Sequence, residues 1–332
     1  MKSPALTILT ESDIRKSVGL DADSLAAIEN AFAQLAEGKA TVPAPMGIEV
    51  VDHHGEVDVK SAYLHGADAF AIKIAAGFYN NKELGLPTAS GMMVLLSAET
   101  GFPKAVLFDN GYLTQLRTAL AGAIAAKYFA PQKVDTVAVI GAGLQGRYQL
   151  RALRLVRKFT RAFVVSRTAE SATKFAAEMS SELGLAITPA RSIAEAIQLS
   201  DLVITATPSR APLVLLEHLH AGLHITSMGS DGPGKQELDP QILRHVDRLC
   251  CDRKSQSFHS GELQHGLKYG AITEQSEILE LGEVTSGRIS GRRTDSEISV
   301  CDLTGVGIQD TAIALLAYHH ALEAGLGTTL QV

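Results

Sequence analysis

At 332 residues the chain is long enough for about two domains of ordinary size. It is 46% apolar and 20% charged, the balance of a globular protein with a sizeable core rather than of a disordered one. The formal charge of −6 is spread without blocks of like charge, and no uncharged apolar run reaches the ~18 residues of a membrane span. Nucleic-acid and membrane partners are therefore not expected. Cys250, Cys251 and Cys301 form no even framework, and no secretory segment opens the chain, so a cytoplasmic location is expected.

Thr10 to Asp13 is a capping pattern ahead of a short helix, and Asp21 to Glu37 a clearer helix with Leu25, Ile28, Phe32 and Leu35 on one face. From about residue 47 the period becomes two. Val57 and Val59, then Phe70, Ile72 and Ile74, alternate with polar or small neighbours, and residues 92–98 and 104–108 are further strand-like runs. These predict an α+β segment with an antiparallel meander. After Leu116 the pattern predicts a helix from Arg117 to Phe129, closed by Pro131. An alternating series follows: strand 136–140, helix 144–157, strand 162–166, helix 168–183, then strands 201–206, 223–227 and 248–251. Such alternation predicts a Rossmann-type doubly wound parallel sheet covered on both faces. The last helix, 306–324, is apolar nearly all round and is expected to be buried. If it packs back on the first segment, residues 1–117 and 306–332 form one discontinuous α+β domain and residues 118–305 the α/β domain.

The run Thr136–Ile140 leads directly into Gly141-Ala142-Gly143-Leu144-Gln145-Gly146. A glycine string of this spacing acquires meaning from its setting between strand and helix. One glycine permits a tight turn, one lets the backbone approach a pyrophosphate, and one lets helix and strand pack closely. Leu144 and Gln145 open the helix, whose free N–H groups suit phosphate. At the end of the second strand an NAD site would carry an acid for the ribose hydroxyl. Here Ser166, Arg167 and Thr168 stand instead, and no acid occurs before Glu170. A cation and hydroxyls suit a 2′-phosphate, so NADP(H) is the expected preference, with NAD(H) as the other possibility.

Lys73 lies mid-strand among small neighbours, on the face opposite Ile72 and Ile74. It either reaches solvent or contacts a ligand carboxylate or reacting nitrogen. Arg117, read as heading a helix, is disfavoured there by the helix dipole and calls for an anion: a substrate carboxylate, a cofactor phosphate or a surface acid. Asp231 follows strand 223–227 at the carboxyl end of the sheet, where α/β folds place ligands, in a Ser-Asp-Gly-Pro context that also suits a plain turn. The pairs His53-His54 and His319-His320 are adjacent and point apart, and His218, His220 and His224 have no Cys or acid at metal spacing. No metal site is expected.

These motifs occur in a definite order. Phe70-Ala71-Ile72-Lys73, Arg117-Thr118 and the glycine run are followed by Met228-Gly229-Ser230-Asp231 with Gly234-Lys235-Gln236-Glu237, then Thr304-Gly305-Val306-Gly307-Ile308-Gln309-Asp310. Over nearly the whole chain the set resembles the ornithine cyclodeaminase/mu-crystallin family. Through Asp109-Asn110-Gly111-Tyr112-Leu113-Thr114 and Cys301-Asp302-Leu303-Thr304-Gly305 it is most similar to the ectoine-utilisation cyclodeaminase-like proteins. The resemblance implies a homodimer joined through the α+β domain, a nicotinamide cofactor on the Rossmann domain, and an amino-acid or imine substrate in the cleft between the two.

It further implies Asp231 and Lys73 as catalytic residues, with Lys73, Arg117 and Val306 contacting substrate. Imine reduction requires a protonated nitrogen, which a nearby carboxylate stabilises and can supply. Thr88, Arg117, Thr118, Thr207, Met228 and Lys235 join Gly141, Gly143, Leu144, Gln145, Gly146, Ser166, Arg167 and Thr168 around the cofactor. The activity implied is reduction of an imine such as pyrroline-2-carboxylate or iminosuccinate, or the reverse amino-acid dehydrogenation. Redox-neutral cyclodeamination of an ornithine-like diamino acid is one alternative, and a non-enzymatic NADP-dependent binding protein of the mu-crystallin type another. One departure counts against ornithine: proline- and ornithine-binding members carry an extra Arg before the first strands, whereas residues 41–59 here contain none.

Overall fold

The computed structural model describes residues 5–331. The chain divides into two compact units, Met1–Arg117 with Val306–Val332, and Thr118–Gly305.

The first unit is built on a mixed sheet. The strands Gly55–Leu64, Ala69–Phe78, Ala89–Ser97 and Pro103–Phe108 form an antiparallel meander in chain order, as the period-two pattern predicts. Met46–Val50 and Ala40–Thr41 both pair with Gly55–Leu64. At the far side Ala5–Thr10 runs parallel to Pro103–Phe108 and pairs with Thr328–Gln331, neither of which the sequence pattern predicts as a strand. The helix Glu11–Ser17 carries the expected capping box, with the Asp13 N–H donating to Thr10 Oγ1 and the Thr10 N–H to Asp13 Oδ2.

The closing helix Gly307–Glu323 packs on the helix Ala22–Ala36 and on strands Gly55–Leu64 and Ala69–Phe78. Two features press it into the sheet. A Cβ at Gly307 would lie 2.4 Å from the Ser61 carbonyl, so only glycine allows that approach. Thr311 Oγ1 donates to the Ala62 carbonyl at 2.7 Å and accepts from the Ala71 N–H at 3.1 Å. The alternation in Ala69–Phe78 then reads the reverse of what apolarity suggests. Ala69, Ala71 and Lys73 are buried, and Phe70, Ile72 and Ile74 are only half-buried.

The helix expected from Arg117 begins at Tyr112 and ends at Phe129. Its start is set by Asp109, whose carboxylate accepts from the Leu113 N–H at 2.8 Å. Arg117 therefore sits beyond the first turn, where the dipole argument for an anion no longer applies.

The second unit holds an all-parallel sheet in the order Ala186–Pro189, Arg161–Val165, Thr136–Ile140, Leu202–Thr205, His224–Ser227, Ser299–Asp302, Arg248–Cys251, Leu279–Glu280. The order reverses between Thr136–Ile140 and Leu202–Thr205, the switch point at which doubly wound sheets bind ligands. Strand ends agree with the expected ones within a residue, while the helix expected to reach 157 stops at Leu153. Ser299–Asp302 inserts between His224–Ser227 and Arg248–Cys251, out of chain order. All three cysteines are buried and free, and among the described residues no helix is long and apolar enough to cross a membrane.

Candidate active site

In the first unit three charged side chains converge in the core. Asp310, fully buried in the first turn of Gly307–Glu323, lies between two cations. Lys73 Nζ is 3.4 Å from Asp310 Oδ2 and Arg117 Nε 3.0 Å from Oδ1. Lys73 is only 3% exposed and Arg117 5%. Burial pulls the Lys73 pKa down, Asp310 partly restores it, and Arg117 and Lys60 oppose that, leaving the ammonium at about 8. At Asp310 burial pushes the other way, but Lys73, Arg117 and, to a smaller degree, Lys60 outweigh it and hold the carboxylate below its ordinary value. Two buried cations thus share one buried carboxylate. The surplus of positive charge is the condition under which a ligand carboxylate is favoured.

Gln309 completes the group: its Oε1 accepts from the Val306 N–H at 2.7 Å and faces Arg117 Nη1 at 3.5 Å. Val306 itself is fully buried at the head of the helix. The anion expected beside Arg117 is therefore one of the protein's own carboxylates. Asp310 stands in the quoted motif, yet nothing there assigns it this role. Its signal is an acid in the first turn of an otherwise apolar helix. Lys60, the direct cross-strand partner of Lys73, was likewise missed, and a register between Gly55–Leu64 and Ala69–Phe78 would have found it. Thr88 lies in the loop before Ala89–Ser97, and its carbonyl accepts from the Phe78 N–H at 2.8 Å.

In the second unit the glycine run has the predicted shape. Gly141 takes φ +119°, and a Cβ there would lie 2.4 Å from the Ala206 carbonyl. A Cβ on Gly146 would lie 2.3 Å from the Gly141 carbonyl, whereas one on Gly143 meets no atom within 4 Å. Gly141 and Gly146 are thus required by the fold, and Gly143 leaves open backbone before the helix Leu144–Leu153, which is what a pyrophosphate needs. Leu144 is exposed and Gln145 half-buried at that helix start. Arg147 Nη1 binds the Ala142 and Gly143 carbonyls from behind, bracing the turn. Thr118 carries its carbonyl to Gln149 Nε2 at 3.1 Å. After Arg161–Val165, Ser166 is half-buried and Arg167 exposed, and Thr168 caps the helix Ala169–Leu183 by accepting from the Ser171 N–H.

Beyond His224–Ser227 the Asp231 loop begins. Met228 is buried, with its N–H on the Thr205 carbonyl. Asp231 Oδ1 accepts from Lys235 Nζ at 2.7 Å, and the Asp231 side chain remains 51% exposed. The structure therefore brings together the residue expected as acid/base and one expected at the cofactor. Thr207 donates through both its N–H and its hydroxyl to Glu237 Oε1, at 2.7 Å each.

Sequence reasoning missed a set of buried acids along the carboxyl ends of the same strands. Glu237 accepts from Thr205 Oγ1 at 2.6 Å and from the Gly229 N–H at 2.8 Å; Glu262 accepts from the Glu237 and Leu238 N–H groups. Asp252 holds the Thr304 and Gly305 N–H groups, and Asp302 that of Leu263. These carboxyls replace missing backbone partners, so their role is visible only once distant loops are brought together. Burial, with Glu237 and Asp252 nearby, pushes Asp302 up to about 8. Between the ordinary carboxyl value of about 4 and about 8, the folded state then holds a proton that the unfolded state has lost. Stability should fall as pH rises through that window, by up to about 1.4 kcal/mol per pH unit from this one group. Asp302→Asn keeps an acceptor for Leu263 and should flatten the stability–pH curve there; an unchanged slope would refute the assignment.

The histidines read as structural. His218 Nδ1 accepts from the Leu215 N–H, and His224 is fully buried between Ser299 and Thr226 hydroxyls, with burial depressing its pKa well below the ordinary value. Among the described residues no group of three His, Cys, Asp or Glu could hold a metal ion.

A switch-point glycine loop on a parallel sheet, with a carboxylate loop at the adjoining strand ends, defines a Rossmann-type nucleotide-binding fold. The chain belongs to the ornithine cyclodeaminase/mu-crystallin family, which matches residues 5–325. It is 43% identical over 329 residues to an uncharacterised cyclodeaminase of Sinorhizobium fredii, covering 99% of both chains. Among solved structures, Δ1-pyrroline-2-carboxylate reductase of Thermococcus litoralis, in complex with NADH and L-proline, superposes with a TM-score of 0.91 at 35% identity, over 97% of this chain and 99% of that one. An archaeal alanine dehydrogenase dimer with bound NAD matches equally well, with a TM-score of 0.91, 35% identity and coverage of 98% and 99%.

Proposed function

We propose that the protein is a nicotinamide-dependent oxidoreductase interconverting an α-amino acid and its imine. The observation that carries this reading is the buried surplus of positive charge at Lys73 and Arg117 around Asp310, which suits the carboxylate common to amino acids and their imines. The likeness to a pyrroline-2-carboxylate reductase and an alanine dehydrogenase supports the same chemistry for cyclic and acyclic substrates. A bound nicotinamide would supply or take the hydride at the α-carbon. Lys73 and Arg117 hold the substrate carboxylate, with Val306 against its apolar part. Asp231 stabilises the protonated imine nitrogen and exchanges its proton.

The dinucleotide would lie on Gly141, Gly143, Leu144, Gln145 and Gly146, with Thr88, Thr118, Thr207, Met228 and Lys235 as further contacts. Open backbone at Gly143 fits its pyrophosphate. Ser166, exposed Arg167 and Thr168, with no acid before Glu170, support a preference for NADP(H) over NAD(H). Exposed Met46 and Ile48 on the strand Met46–Val50, and exposed Tyr79, Leu84 and Leu86 in the segment after the strand Ala69–Phe78, support a homodimer through the first unit. Three reduced, buried cysteines accord with a cytoplasmic enzyme.

The test is a spectrophotometric screen of preformed cyclic imines, and of 2-oxo acids with ammonia, against NADPH and NADH. Stoichiometric loss of reduced-nicotinamide absorbance, with higher kcat/KM for NADPH, is expected. Ammonia release from a diamino acid without net absorbance change would establish the cyclodeaminase reading instead, which the Sinorhizobium fredii relative favours. Tight NADP(H) binding without turnover of any substrate would establish the binding-protein reading. Equal or better kcat/KM with NADH would remove the cofactor preference alone.

A further inference from the structure

The Asp231 loop contains Gly229, Gly232 and Gly234, so its own backbone does little to fix where the carboxylate stands. Within the loop the Lys235 N–H donates to the Gly232 carbonyl and Lys235 Nζ pairs with Asp231, and the loop as a whole is anchored to the short helix Glu262–Lys268. Gln264 spans the loop with both ends of its amide: Oε1 accepts from the Gly234 N–H at 3.1 Å, and Nε2 donates to the Gly232 carbonyl at 3.3 Å. The same Nε2 donates to the Gly261 carbonyl at 2.9 Å, tying the side chain to the start of its own helix. The next residue, His265, donates from Nε2 to the Lys235 carbonyl at 2.8 Å, which also takes the Ser230 hydroxyl at 2.7 Å. Three backbone points on the C-terminal side of Asp231 are thus pinned by two consecutive side chains, while its carboxylate, paired with Lys235, keeps about half of its surface open.

We propose that Gln264 is the positioning residue of the proton-transfer loop, setting the place of Asp231 without touching substrate or cofactor. The inference rests on Asp231 being the acid/base proposed above. Loss of the bridge frees a glycine-rich loop, and displacement of a reacting group by about an ångström can cost on the order of 100-fold in rate.

The experiment compares Gln264→Met, which has the same length but no amide, and Gln264→Glu, which keeps the acceptor for Gly234 but loses both donors. Asp231→Asn serves as the control. Each full-length protein is assayed for kcat and KM in imine reduction, for NADPH affinity by fluorescence, and for amide hydrogen exchange at Gly234. Both Gln264 variants should lose 10- to 100-fold in kcat with NADPH affinity within about twofold of the parent, and exchange at Gly234 should quicken in Gln264→Met, which alone loses its acceptor. Normal kcat in Gln264→Met beside an inactive Asp231→Asn overturns the proposal and leaves the function standing. Full activity in Asp231→Asn overturns the proposal together with the acid/base role of Asp231, while imine reduction itself stands. Loss of NADPH affinity or of cooperative unfolding in both Gln264 variants also overturns the proposal, because the side chain then supports the fold rather than the loop.

Discussion

Asp310→Asn is expected to destabilise the first unit by about 3–5 kcal/mol, because it strands two buried cations on a neutral amide. Asp310 is fully buried, and Lys73 and Arg117 are nearly so, so water cannot take over its role. The same change should alter the pH dependence of substrate binding. In the parent, burial holds Lys73 at about 8 despite Asp310, so its charge is lost above that pH and KM for a carboxylate substrate climbs. Without Asp310 the ammonium loses its main support, and the rise in KM should begin at lower pH. Chemical denaturation gives the first quantity and KM–pH profiles the second. Adding Lys73→Met should recover part of the lost stability, since Arg117 is then the one buried cation left to accommodate, with Lys60 only half-buried. Wild-type stability in Asp310→Asn would show that the three charges are not coupled.

Asp231→Ala should lower kcat by a factor of about 10² to 10⁴, the usual range for a positioned acid/base, with dinucleotide affinity nearly intact. The glycine turn lies on a different segment, and the Asp231 carboxylate has solvent on one side and Lys235 on the other. Its removal leaves no unsatisfied buried group, so fold stability should hold. Near-normal turnover would show that another group manages the nitrogen proton.

How much of this was legible in the chain differs by kind of feature. The glycine run, the strands Thr136–Ile140 and Arg248–Cys251 and the meander follow from local periodicity, and the structure reproduces them closely. The start of the Tyr112–Phe129 helix was misplaced by five residues because its cap is an Asp in a motif read for its resemblance alone. Ser299–Asp302, no shorter than Arg248–Cys251, overlaps a motif read for its resemblance alone, and it joins the sheet out of chain order between His224–Ser227 and Arg248–Cys251.

The sequence by itself determined the two architectures, the nucleotide loop and the candidates Lys73, Arg117 and Asp231, because each depends on residues adjacent in the chain or repeating at a helical or strand period. Only the tertiary structure decided what those candidates face. Lys73 and Arg117 meet Asp310, which lies about two hundred residues further along the chain, and the Asp231 loop is held by Gln264 and His265. The physical reason is that charge balance and hydrogen-bond satisfaction in a buried site are properties of groups brought together across the fold, and no local pattern records them.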